Sequence, residues 1–174
     1  WNRAYEKWQD FWKDNYKFLM KTNIVKLKDF NKIPENSVLA FGHFSTIHAG
    51  HLRYLKYAKQ SGDKLIISLL ADEVIDGKQK YPFNQKDRAE ALSFLSIADY
   101  IVLMEDQRLK NIVERINPEI IVLGKEFENT KDSSVLDAIK LQILNNNKVE
   151  FHAGEIHYAS ADLLINSESE LSKQ

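Results

Sequence analysis

Residues 37–70 read SVLAFGHFSTIHAGHLRYLKYAKQSGDKLIISLL, and the fold follows from this stretch. Ser37–Gly42 is a short apolar run closed by a glycine. Ala49–Gln60 sets Leu52, Leu55 and Ala58 at helical spacing. Ser61-Gly62-Asp63 stops that helix, and Lys64–Leu70 is a second apolar run. Strands without polar alternation are buried on both faces, which suits a parallel sheet. The pattern continues downstream. A polar loop over 71–82 carries Gly77, Lys78 and Lys80. Gln85–Ile97 reads as a helix, Tyr100–Met104 as a strand, Arg108–Ile116 as a helix broken by Pro118, and Glu119–Gly124 as a strand. Val135–Leu144 reads as a helix, Asn145–Asn147 as a turn, Val149–His152 as a strand and Ala161–Ile165 as a short last helix. Strand–helix alternation with right-handed crossovers predicts an α/β fold with a doubly wound, five-stranded, mainly parallel sheet. Such sheets bind ligands at the carboxyl ends of their strands, where the strand order reverses.

The remaining composition narrows the function classes. The chain has 174 residues, 44% of them hydrophobic and 28% charged, the balance of a soluble globular domain. It has no cysteine, which excludes a disulfide framework, a zinc–thiolate site and a thiol nucleophile, and suits a cytoplasmic setting. A net charge of -1 supplies no basic field for nucleic acid. The apolar runs are too short for a transmembrane helix, and no signal-peptide pattern is present. The six glycines all fall at predicted turns or element ends.

Three regions are expected: an N-terminal helix and linker over 1–36, the main domain over 37–166, and a polar tail over 167–174. Trp1, Tyr5, Trp8, Trp12 and Tyr16 recur at one face of an amphipathic helix. That face is expected to pack on the domain or on a second copy, so a homodimer is anticipated. Met20 would make a natural start, and residues 1–19 then read as upstream sequence, with the chain one domain of a longer polypeptide.

Chemistry concentrates in one loop. His43, His48 and His51 are three of the five histidines and lie between the first strand and the first helix. With a helix start near Ile47, His48 and His51 face one side of its first turn, and Gly50 leaves room for a ligand near the backbone between them. A helix N-terminus is already an anion site. Two imidazoles add directed donors that follow charge developing on a phosphoryl oxygen. Zinc binding is a rival reading, but no nearby carboxylate completes a site. Histidines that merely cap the helix are a weaker reading. His152 and His157 are read as structural, and Asp99 as a turn residue.

Gly42–His51 resembles the G-x-F-D-x-x-H-x-G-H signature of the cytidylyltransferase-like nucleotidylyltransferase superfamily. Ser61–Ile67, Tyr81-Pro82 with Arg88, Pro118–Gly124 and Gly154–Leu164 are similar, in order, to further blocks of that superfamily. The likeness covers residues 37–165 and is nearest to heptose-1-phosphate adenylyltransferase domains and glycerol-3-phosphate cytidylyltransferases. It implies an enzyme that moves a nucleoside monophosphate from ATP or CTP to a sugar or polyol phosphate. Pyrophosphate would leave, Mg²⁺ would assist, and no covalent enzyme intermediate would form. It also implies a possible fusion to a carbohydrate kinase domain.

Under the resemblance His48, His51, Lys80 and Arg88 are catalytic. Phe41, Gly42, His43 and Phe44, through their backbone, line the nucleotide site with His48, Gly50, His51, Gly124 and Ser160. Ser45 and Lys78 face the acceptor, with Lys78 or Lys80 reaching across as a mobile cation. Arg88 binds phosphate, its rival role being a surface i,i+4 pair. The chain departs from the pattern at Ser45, where the superfamily has Asp, at His43, where it has a small residue, and at Leu123, where it has Lys. Ala159 and Ala161 flank Ser160 in the closing segment. These changes leave open a nucleotide-binding regulatory or scaffold domain of the same fold.

Overall fold

The computed structural model describes residues 22–30, 34–75, 78–106 and 108–152. The aromatic face of residues 1–16, Gly77, Gly154, His157 and Ser160 lie outside the described residues.

Among the described residues eight strands and four helices alternate as the sequence suggests. They are β1 (Asn23–Lys26), β2 (Ser37–Gly42), α1 (Ala49–Gln60), β3 (Lys64–Leu69), β4 (Val74–Ile75), β5 (Lys78–Gln79), α2 (Gln85–Phe94), β6 (Tyr100–Leu103), α3 (Leu109–Ile116), β7 (Ile120–Gly124), α4 (Ser133–Leu144) and β8 (Lys148–His152). Six strands form one parallel sheet in the order β1-β6-β3-β2-β7-β8, while β4 and β5 pair antiparallel on their own. The sheet therefore has six strands where five were expected. The extra strand, β1, lies inside the stretch read as helix and linker. Its four residues are mostly exposed, so no apolar run announces it. It is held by its backbone register against Tyr100–Leu103 and by Thr22, whose hydroxyl donates to Ala98 O at 2.7 Å.

Alternate residues of each strand feed opposite faces. Leu39, Phe41, Ile66, Ile121 and Leu123 pack with Leu109, Ile112, Val113 and Ile116 of α3 and Val135 and Ala138 of α4. Val38, Ala40, Leu65, Ile67, Leu69 and Val122 pack with Tyr54, Leu55 and Ala58 of α1 and Ala89 and Leu92 of α2. Leu52, expected on the apolar face of α1, is exposed instead. Helix α2 stops three residues early, because Ser96 takes a left-handed conformation (φ 51°). Helix α3 stops at the left-handed Asn117, one residue before Pro118.

Asp99 is more than a turn residue. It accepts from Leu65 N at 2.9 Å, Lys59 Nζ at 2.6 Å and Lys64 Nζ at 3.1 Å. Burial works to raise its pKa, but these donors win and hold it below the usual carboxylate value. It fixes the amino-terminal end of the sheet, opposite the end that carries the histidines.

Candidate active site

The chain leaves β2 toward β3 and β6 on one side and returns to β7 and β8 on the other. The strand order thus reverses between β2 and β7, and Gly42 and Gly124 end those two strands. The loop that follows β2 turns sharply at Phe44, whose φ of 50° is uncommon for a bulky residue. The turn drives the Phe44 ring inward, where it is buried against His51 at 5.1 Å between ring centroids.

Helix α1 begins at Ala49, not near Ile47, and His48 is its N-cap. The His48 Nδ1 accepts a hydrogen bond from Gly50 N at 3.1 Å. An accepting Nδ1 carries no proton, so the neutral ring bears its proton on Nε2. One ring can thus serve two purposes: Nδ1 caps the helix and leaves an Nε2–H donor on the far side. His51 follows three residues on, and the two rings lie 4.0 Å apart at an interplanar angle of 32°. Gly50 has a different job from the one its position suggested. A Cβ there would come within 2.9 Å of His48 Cε1, so the His48 ring fills the space instead of leaving it for a ligand.

His51 and His43 are both neutral at pH 7. Burial, then the neighbouring His48, lowers the His51 pKa to about 4 against the Thr46 backbone, which raises it. Burial lowers His43 to about 4 as well, helped by Arg88 and Lys80 and opposed by Glu73 and Asp72. Neither Nδ1 has a hydrogen-bond partner among the described residues, although both atoms are buried. The His43 ring packs on Tyr81 at 4.5 Å.

Arg88 is neither exposed nor part of a surface pair. It is 2% exposed, and Nε donates to Phe83 O, Nη1 to His43 O, and Nη2 to both Leu70 O at 3.0 Å and Asp72 Oδ1 at 2.9 Å. Four of the five guanidinium N–H groups are thus committed to protein. Arg88 ties the loops after β2 and β3 to the start of α2. Sequence reasoning missed Asp72, since no local pattern links it to a residue sixteen positions away.

Lys80 is exposed and held by Glu73 at 2.9 Å, which raises its pKa, with its Nζ 5.3 Å from the Tyr81 centroid. Lys78 is an exposed residue of β5, in register with Ile75. Ser45 is half-buried in the histidine loop. Phe41 contributes backbone only, because its ring lies in the opposite core, edge-on to Phe127 at 6.0 Å. At the end of β7 the Glu126 carboxylate folds back over Gly124, into the space a Cβ would take. The structure thus brings His43, Phe44, His48, His51, Arg88 and Lys80 to one end of the sheet.

Among the described residues no three His, Cys, Asp or Glu side chains are grouped to hold a metal ion. A hard divalent ion would have to draw most of its ligands from a substrate's phosphates.

An α/β domain with paired imidazoles on a helix N-terminus at the sheet's reversal point presents an anion-favouring end where such sheets bind ligands. The pattern of the cytidylyltransferase-like family matches residues 39–160, and the chain belongs to that family, and with it to the nucleotidyltransferases. The bifunctional protein HldE of Aliarcobacter butzleri is 32% identical over 80% of this chain and 31% of its own length. The chain thus spans under a third of that relative. An FAD synthase of Thermococcus sibiricus is 32% identical over 62% of this chain and 74% of its own length. The crystal structure of a lipopolysaccharide core biosynthesis protein from Thermoplasma volcanium superposes with a TM-score of 0.52, at 28% identity, over 67% of this chain and 93% of that one. No helix among the described residues is long and apolar enough to cross a membrane.

Proposed function

We propose that the protein transfers a nucleoside monophosphate from ATP or CTP to a sugar phosphate or polyol phosphate, releasing pyrophosphate. The observation that carries this reading is the His48–His51 pair, with the His48 proton assigned to Nε2 by Gly50. An acceptor phosphate oxygen attacks the α-phosphorus, the bond to the bridging oxygen breaks, and pyrophosphate departs. Nothing covalent is asked of the chain. Its task is to position the reactants and offset charge on the phosphoryl oxygens. The His48 Nε2–H, left free by the Gly50 cap, is the donor aimed at those oxygens, with the His51 ring packed beside it. Arg88 acts by holding the histidine loop in place, and Lys80 is the cation free to exchange Glu73 for a phosphate.

Mg²⁺ fits as a companion of the triphosphate, where it would screen phosphate charge. Glu126, whose carboxylate lies over Gly124 at the end of β7, is the residue that would meet it. The sugar-phosphate acceptor is supported by the HldE relative and by the lipopolysaccharide core biosynthesis structure. The FAD synthase relative, which the chain matches over most of its length, supports a flavin phosphate as the second acceptor to try. A further domain beside this one is proposed from the partial span of the bifunctional relative.

The test is pyrophosphate release with Mg²⁺, ATP or CTP, and a panel of heptose, polyol and flavin phosphates. Release with one pair is expected. His48→Ala and His51→Ala should each lower turnover by about two powers of ten or more, as for loss of a transition-state donor. Tight nucleotide binding with no release from any pair would instead favour a regulatory domain.

A further inference from the structure

The β2–β3 ladder runs from Ser37↔Lys64 to Gly42↔Leu69, but the β2–β7 ladder stops at Ala40↔Val122. One residue beyond that point a side chain stands between the two strands. Phe41 N donates to the Tyr54 hydroxyl at 3.0 Å, and the hydroxyl lies 2.6 Å from Val122 O, to which it donates. Where strands stay paired, an N–H reaches a carbonyl in one hydrogen bond. Here the path runs through an inserted oxygen and takes two. The parting of β2 from β7 is therefore satisfied at Phe41 N and Val122 O, the two backbone groups that the inserted hydroxyl joins.

Tyr54 is suited to this place. It comes from the second turn of α1, is 8% exposed, and stacks on Phe44 at 6.5 Å, whose ring in turn packs on His51. Burial and the Glu126 carboxylate both raise its pKa, against the Phe41 backbone, so the phenol keeps its proton and donates at every working pH.

We propose that Tyr54 is a positioning residue whose hydroxyl holds β2 and β7 apart and so sets the width of the nucleotide crevice. The proposal rests on the reading of that crevice as the nucleotide site. Without the hydroxyl, Phe41 N and Val122 O are buried and unpaired, and closing the strands on each other is the direct way to satisfy them. Closure narrows the crevice and leaves the His48–His51 pair in place.

The experiment is Tyr54→Phe in the full chain, with nucleotide affinity by calorimetry, steady-state kinetics and melting temperature measured together. The nucleotide Kd and KM should rise about tenfold, as for one hydrogen-bonded contact set lost. The turnover number at saturating nucleotide should stay within about threefold, because the transition-state donors are untouched. A purely structural tyrosine would lower the melting temperature and leave KM unmoved, and that result overturns the proposal. Should the Phe variant fail to fold, Tyr54→Met, which also lacks the hydroxyl, is held to the same KM criterion. If the wild-type chain itself binds neither ATP nor CTP, the nucleotide reading fails and this proposal fails with it. If wild type binds and both variants bind equally well, only the proposal fails.

Discussion

Gly50→Ala separates stability from chemistry at a single methyl group. Gly50 is the second residue of α1, with its N–H bound to His48 Nδ1 at 3.1 Å. A methyl there would lie 2.9 Å from His48 Cε1 and 3.0 Å from Nδ1, closer than side-chain carbons tolerate. The obstacle is an imidazole that can rotate, not backbone, so the ring yields and the fold survives. Two local effects on stability then oppose each other. Alanine is better than glycine in a helix by roughly 0.5–1 kcal/mol. Losing a side-chain N-cap costs about 0.5–2 kcal/mol. The net change is within about 1 kcal/mol, a melting shift of roughly 2–4 °C for a chain of this size.

The chemistry has no such compensation. A displaced His48 loses the hydrogen bond that assigns its proton to Nε2, and its 4.0 Å packing on His51 is broken. Misplacement of a donor by about 1 Å costs on the order of a hundredfold in rate. The assay is continuous pyrophosphate release beside differential scanning calorimetry, with Ala49→Gly as the opposite control. Ala49 is exposed at the first position of the helix, so that variant should lose at most about 1 kcal/mol of stability and keep its rate. A Gly50→Ala enzyme with the wild-type rate would refute the claim that Gly50 exists to seat His48.

Three further outcomes are expected. His43 and His51 have folded pKa values lowered to about 4, so the unfolded chain binds more protons between pH 4 and the ordinary histidine value of 6.5. Stability should therefore fall as pH drops through that window, by about 1–2 kcal/mol for each histidine after discounting for partial exposure. Denaturant melts of His43→Gln and His51→Gln at pH 7 and 4.5 check this, since each variant should flatten the slope. Arg88→Gln removes a buried cation that serves Leu70 O, His43 O, Phe83 O and Asp72, and should cost about 3 kcal/mol by urea unfolding, with nucleotide affinity falling alongside. Asp99→Asn should lose about 1 kcal/mol at pH 7 and progressively less as the pH falls below the ordinary carboxylate value toward 2, because a carboxylate with a depressed pKa contributes its charge interactions only while ionised. Chemical denaturation at the two pH values decides it.

The features that were legible in the sequence are those whose cause is local. Val38–Phe41, Leu65–Leu69 and Ile120–Leu123 announce buried strands because every residue must meet an apolar layer. The pairing of His48 with His51 was legible because both lie within four residues at one helix start. What stayed hidden depends on residues far along the chain. Strand β1 has little apolar signal, and only the neighbouring Tyr100–Leu103 makes it a strand. Arg88 looks like any basic residue on a helix until four acceptors from three other segments surround it.

Tyr54 is the sharpest case of this dependence. In sequence it is one more aromatic residue at a core position of α1. Its hydroxyl acts on Phe41 and Val122, thirteen and sixty-eight residues away. The position where a parallel ladder ends is a property of two strands and whatever separates them, so no reading of either strand alone reveals it. The same logic bears on Leu123, one of the two departures that raised the possibility of lost chemistry. Leu123 is wholly buried in the α3–α4 core and makes its contribution as packing there. A lysine at that position would bury its charge at a cost of several kcal/mol or pull the end of β7 outward to reach water. The departure is thus compatible with this core, and under the proposed reading turnover rests on His48 and His51 at the other face, with nucleotide affinity set by the strand gap that Tyr54 keeps open.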